Sequence, residues 1–216
     1  MKMMPAPIRY YIYTGQELPA ARPYGYVLAR EGIYKLADTP FFTVSLLLAR
    51  VRRGVPGLEE FGEWAVVSVP RIPARWLRSV LEHARKAGRG HGVLRPIEQM
   101  YHFHYFFHDP DDGMNGSGWR VAVPKQQASA GQVRYMGGDE RTVVLDLHSH
   151  HEMAPFFSTT DNRDEQGLRF YAVIGHIYSR PQIRLRLGVY GDFVELPVTV
   201  LFEGLGPFED CYDDGA

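Results

Sequence analysis

The sequence predicts a mixed α/β (α+β) fold, in which a mixed β-sheet is flanked by helices and preceded by a β-rich N-terminal extension. Three observations predict it. Aromatic and β-branched runs crowd both ends of the chain, a single amphipathic stretch of helical period lies between them, and the apolar run at 142–147 leads into paired histidines and a polar helix start. At 216 residues the chain can bury a substantial core, and its 45% hydrophobic and 23% charged content is that of an ordinary globule. A net charge of −1 provides no electrostatic footprint for nucleic acid or an acidic membrane.

Residues 8–13, 24–29 and 41–48, with a turn at Glu31 and Gly32, read as strands that need a partner surface. The Arg- and Gly-containing stretch 50–57 reads as a connection. A soft boundary near residue 60 therefore divides an extension, 1–60, from a main domain, 61–205, with an acidic tail at 206–216. Residues 64–69 read as a strand feeding a helix whose first turn holds Pro73, where a missing N–H is harmless. Trp76, Leu77, Val80, Leu81 and Ala84 recur at helical spacing, Arg75, Arg78, Glu82 and Arg85 face water, and Gly88 and Gly90 end the helix.

From Tyr101 the chain alternates as a strand, with His102, His104 and His108 on one face and Phe103, Tyr105 and Phe107 on the other. That row reads as a half-exposed histidine face rather than a second metal site, because no carboxylate is suitably spaced nearby. Residues 108–118 form a turn-rich loop, 119–123 a strand and 124–131 a flexible polar link. Residues 170–178, 183–190 and 193–201 read as consecutive strands, with a tight hairpin turn at Gly191 and Asp192, and the acidic tail reads as frayed.

Cys211 is the only cysteine, so an intrachain disulfide and a Cys-ligated zinc cluster are both excluded. Any metal must sit on His and carboxylate. The first residues lack the apolar run of a signal peptide and no stretch is long enough to span a bilayer, which makes a cytoplasmic location the expectation.

The stretch 145–161 carries the chemistry. His148 and His150 project from one face where the strand ends, and two imidazoles so placed can grip one ion. A turn through Pro155 leads to Ser158, which is placed to cap a helix whose first turn offers the carboxylate of Asp161 as an oxygen ligand. Two His and one carboxylate leave the fourth position of a tetrahedral zinc for water, the arrangement of a hydrolytic rather than a purely structural site. His151 and Glu152 are further candidate ligands, although a strand reading points them away from or past the pair. Asp146 shares the histidines' face, either orienting them from behind or serving as a buried structural carboxylate.

His-x-His, seven residues, then Ser-x-x-Asp resembles the JAMM signature of the JAB/MPN/Mov34 metalloprotease family. Pro155 falls where the family often has proline, whereas His151 departs from the pattern, since many members carry a proline directly after the second His. The resemblance implies an MPN/JAB-like domain with Zn2+ on His148, His150 and Asp161, and with Ser158 donating to the oxyanion. It also implies a general-base glutamate from a strand before the motif, often within Pro-x-Glu. Pro96-Ile97-Glu98 stands in that place, which makes Glu98 the candidate, although the following Gln99-Met100-Tyr101 departs from the family's small, glycine-containing continuation.

The order of helix, Pro-x-Glu, the run 119–126, His-Ser-His-His and Phe-Phe-Ser-x-x-Asp is similar to the PRTRC system protein A subfamily. That likeness implies a bacterial protein encoded with ThiF-like and ubiquitin-like components. It implies a zinc isopeptidase or peptidase acting on the C-terminal tail of a ubiquitin-like protein or its conjugate. A non-catalytic scaffold of the same fold and a small-molecule zinc amidase are the alternatives.

Overall fold

The computed structural model describes residues 7–87, 98–107, 118–124, 126–128, 133–135 and 140–212. The chain divides into two compact units, Met1–Pro70 and Arg71–Ala216.

The first unit is a five-stranded sheet in chain order: β1 (Arg9–Ile12), β2 (Tyr24–Ala29), β3 (Gly32–Asp38), β4 (Phe42–Arg50) and β5 (Trp64–Val67). β1 runs parallel to β2, and the other pairings are antiparallel. Val27, Ala29, Tyr34 and Leu36 are buried with Ala21, and Tyr11, Tyr13, Leu18, Leu47 and Phe61 pack against them. Burying each large side chain of such a set contributes about 1.5–3 kcal/mol. The boundary near residue 60 falls inside this unit. Residues 64–67 do form a strand, but it pairs with β4 through Phe42 to Ser45 instead of leading the second unit. β3 goes unread in the sequence because Lys35 interrupts its apolar run. That lysine is nevertheless buried, its ammonium 5.0 Å from the centre of the Tyr24 ring.

The second unit opens with helix α1 (Arg75–Lys86), which follows Pro73 and buries Leu77, Val80, Leu81 and Ala84, the face its spacing predicts. Trp76 is only half-buried. His83 ties the helix to the sheet through a 2.9 Å contact between its Nδ1 and the Tyr101 hydroxyl. The strands are β6 (Met100–Phe106), β7 (Gly118–Ala122), β8 (Gln126–Ala128), β9 (Val133–Tyr135), β10 (Val143–Ser149), β11 (Leu168–Gly175), β12 (Gln182–Val189), β13 (Asp192–Leu196) and β14 (Glu209–Asp210), with the short helix α2 (Thr159–Asp164) between β10 and β11. The main sheet runs β13-β12-β11-β10-β6-β7, with β14 added beside β12.

It is a mixed sheet, since β10 runs parallel to β11 and antiparallel to β6. The expectation of an α+β fold behind a β-rich N-terminal region is met. Every residue of β10 is buried, which is why 143–149 reads as a nearly continuous apolar run rather than an alternating one.

Several details differ from the sequence reading. The strand expected over 193–201 stops at Leu196, where Pro197 cannot donate to the ladder, and a 3-10 turn over Val198–Val200 follows. The tail read as frayed is built in as far as residue 212: Phe208 is buried and β14 runs parallel to β12. The polar link at 124–131 contains β8, paired with β9. The histidine face of β6 is not half-exposed throughout, because His102 is buried with its Nε2 3.4 Å from Asp146 Oδ1. His108, the loop that follows it, Pro96 and the glycines expected to end α1 lie outside the described residues.

Candidate metal centre

β10 and the turn just beyond its end deliver the two histidines. Its register against β11 sets His148 opposite Val173, and on the other side His148 faces Met100 of β6. Beyond Ser149 the chain leaves the sheet but stays stitched to it: His150 N–H donates to Ile174 O at 2.7 Å and Ile177 N–H to His151 O at 2.7 Å. His151 adopts φ 49° to make that turn. Gly175 underlies the segment, and only glycine fits there, because a Cβ would stand 2.3 Å from Met153 O and 2.5 Å from Pro155 N.

The imidazoles converge. His148 Nε2 and His150 Nε2 are 3.1 Å apart, close to the ~3.3 Å that two nitrogens on one tetrahedral zinc would show. Phe156 packs its ring edge-on against His150, with centroids 4.6 Å apart. Burial holds His148 down at about 4, with the charges of His150 and Arg186 acting in the same sense against that of Asp161. Burial also lowers His150, opposed by the Ala154 backbone and Asp161. Both rings are therefore neutral at pH 7, the state in which an imidazole can ligate.

α2 supplies the third donor through a reciprocal cap. Ser158 Oγ accepts from Asp161 N–H at 3.2 Å, and Asp161 Oδ2 accepts from Ser158 N–H at 2.6 Å. That leaves Asp161 Oδ1 toward the histidines, 3.8 Å from His148 Nε2. One ligand atom each from His148, His150 and Asp161 lie within 4.8 Å of one another. The donor set of two neutral imidazoles and one half-free carboxylate fits a divalent cation of zinc type.

Glu98 is buried at 5% exposure, and its carboxyl is pushed up to about 7 by that burial and, second, by the charge of Asp161. The backbone next to it is fixed to the end of β10: Gln99 N–H donates to Ser149 Oγ at 3.1 Å, and Ser149 N–H donates to Gln99 O at 3.0 Å. Asp146 is engaged elsewhere. Its Oδ2 accepts from Arg169 at 2.7 Å and its Oδ1 faces His102. His151 is buried with its ring stacked toward Tyr178, and Glu152 is exposed.

The raised carboxyl has a measurable consequence. An acid whose folded pKa lies above its unfolded value of 4.5 stabilises the fold fully below that value, and the contribution is lost as pH rises through about 7. The lowered His148 acts oppositely, losing its contribution as pH falls through about 4. Comparing metal-free wild type with Glu98→Gln cancels the histidine effect. The variant's stability relative to wild type is expected to rise from pH 5 to pH 8 by up to about 3 kcal/mol in urea melts. A pH-independent difference would mean that Glu98 is not desolvated.

Three contributors escaped the sequence reading. Gly175 inside a strand pattern is the legible sign of a close backbone approach. Arg186, buried within the apolar run of β12, could have been flagged as a charge in a core strand. The Ser149 tether has no sequence signal. Among the described residues, no helix is long and apolar enough to cross a membrane.

No curated protein matches the chain. The family model described as prokaryotic homologs of the JAB domain matches residues 73–187, which run from the start of α1 into β12 and include Glu98, His148, His150, Ser158 and Asp161. With more than half of its length matched across that site, the chain belongs to the family of prokaryotic homologs of the JAB domain.

Proposed function

We propose that this protein is a zinc-dependent JAMM-type isopeptidase or peptidase that hydrolyses an amide bond at the C-terminal tail of a ubiquitin-like protein or its conjugate. The observation that carries the reading is the convergence of His148, His150 and Asp161 within 4.8 Å, with a buried Glu98 close enough to feel the charge of Asp161. His148, His150 and Asp161 would hold the ion. Bound zinc supplies Lewis-acid activation of water at neutral pH.

Glu98 takes the proton of the attacking water and passes it to the leaving amine; a carboxyl near 7 is suited to both directions of transfer. Ser158 Oγ already accepts from Asp161 N–H, so its own proton is available to the oxyanion of the tetrahedral carbonyl. β10 is buried along its whole length, which places His148 in a site of low solvent access. ThiF-like and ubiquitin-like partners are what the sequence's likeness to the PRTRC system protein A subfamily implies.

The test is a purified chain assayed with a ubiquitin-like protein carrying an amide-linked reporter at its C-terminus. One zinc per chain is expected, with cleavage abolished by a chelator and restored by zinc. Stoichiometric zinc with cleavage only of small amides would discard the protein substrate. A chain that takes up no zinc would leave a scaffold of this fold.

A further inference from the structure

Helix α2 has six residues, none of them buried, so it makes too few internal bonds and contacts to hold its own position. Yet it carries Asp161, and its cap is Ser158. One side chain grips it from both sides. The Arg186 guanidinium donates to Asn162 Oδ1 at 2.5 Å through Nη1, and to Glu165 Oε2 at 2.5 Å through Nη2 and 3.0 Å through Nε. Its carbon lies 3.8 Å from the ring centre of Phe157, immediately before Ser158, and 3.8 Å from that of Phe193. Arg186 itself is 4% exposed and sits in β12 between β11 and β13, opposite Tyr171 and Glu195. A strand paired on both sides is a rigid base for such a bracket.

We propose that Arg186 is the positioning residue of the metal centre: stacked between Phe157 and Phe193 and bonded to Asn162 and Glu165, it brackets the Ser158–Asp161 turn and sets the carboxylate of Asp161 against His148 and His150. This rests on the zinc reading above. Lysine cannot substitute, because a point charge supplies neither the planar stack nor the two-pronged contact. The chemistry is that of an outer partner orienting a ligand, whose loss lowers metal affinity by about 10–100-fold.

Removing Arg186 alone would strand Glu165 without its counter-charge, so the informative variant is Arg186→Met with Glu165→Gln, which leaves the space filled and uncharged. Metal-free full-length chains are titrated with zinc against a chromophoric chelator, and separately with cobalt(II), whose visible absorption reports four-coordinate geometry. The double variant is expected to melt cooperatively, bind zinc about tenfold or more weakly, and show a weakened, altered cobalt band. A folded double variant with wild-type affinity and a superimposable cobalt spectrum overturns the proposal.

Should the double variant fail to fold, Asn162→Ala decides, since it severs one bond of the bracket at an exposed residue. A loss of about threefold or more in zinc affinity is expected, and none would overturn the proposal. A wild-type chain that binds no zinc overturns the zinc reading and this inference together. A wild type that binds zinc beside insensitive variants overturns this inference alone.

Discussion

Replacing Glu98 by Gln leaves zinc binding within about twofold of wild type and lowers amide-bond turnover by about 10²–10⁴. Glutamine keeps the shape and the backbone tether through Gln99 and Ser149, so the geometry of the three ligands has no reason to change. What it lacks is an atom that can accept and return a proton. The loss should fall equally on kcat and kcat/KM, since the interaction removed acts only as the carbonyl becomes tetrahedral. The same variant should be more stable than wild type at high pH, because it has no charge to desolvate, so loss of turnover cannot be put down to misfolding. Turnover that survives the substitution would remove Glu98 as the proton carrier and redirect attention to Glu152, the exposed carboxylate two residues beyond His150.

The legibility of this chain follows the range of the interactions involved. α1 and the core of β10 could be read because their signals are local: a 3.6-residue apolar stripe and an uninterrupted apolar run. The helix cap at Ser158 and the placement of Asp161 were legible for the same reason, since the reciprocal bonds span three residues. What could not be read depends on partners far along the chain. β5 looks like the lead of the second unit until its pairing with β4 is known. β14 looks like a frayed acidic tail until Glu209 and Asp210 find Gln182 and Ile183. The contact of Asp146 cannot be read from its position on the strand, because its partner Arg169 lies 23 residues away. The Arg186 bracket joins residues 21 and 24 positions apart, and no local pattern announces it.

His148→Ala is expected to abolish both zinc binding and cleavage. It leaves His150 and Asp161, and two donors on separate segments do not make the three-ligand set that a catalytic zinc site needs. Linkage makes this visible without a substrate. Zinc at a thousand times its Kd stabilises the wild type by about 4 kcal/mol, and the variant should show no zinc-dependent shift in its melt.

Asp161→Asn separates ligation from capping in the same assay. The carboxamide oxygen can still accept from Ser158 N–H, and the Asp161 backbone N–H that Ser158 caps is untouched, so α2 should persist. Zinc affinity should nonetheless fall, because a neutral amide oxygen is a far poorer partner for the cation than a carboxylate. If His148→Ala loses the zinc shift and Asp161→Asn keeps it, Asp161 is a cap and not a ligand, and the ion would be held by the two imidazoles with some other donor. If both lose it while their metal-free melts stay close to wild type, the converging atoms of β10 and α2 form one site, and the reciprocal cap is the means by which a six-residue helix presents its free carboxylate oxygen to that site.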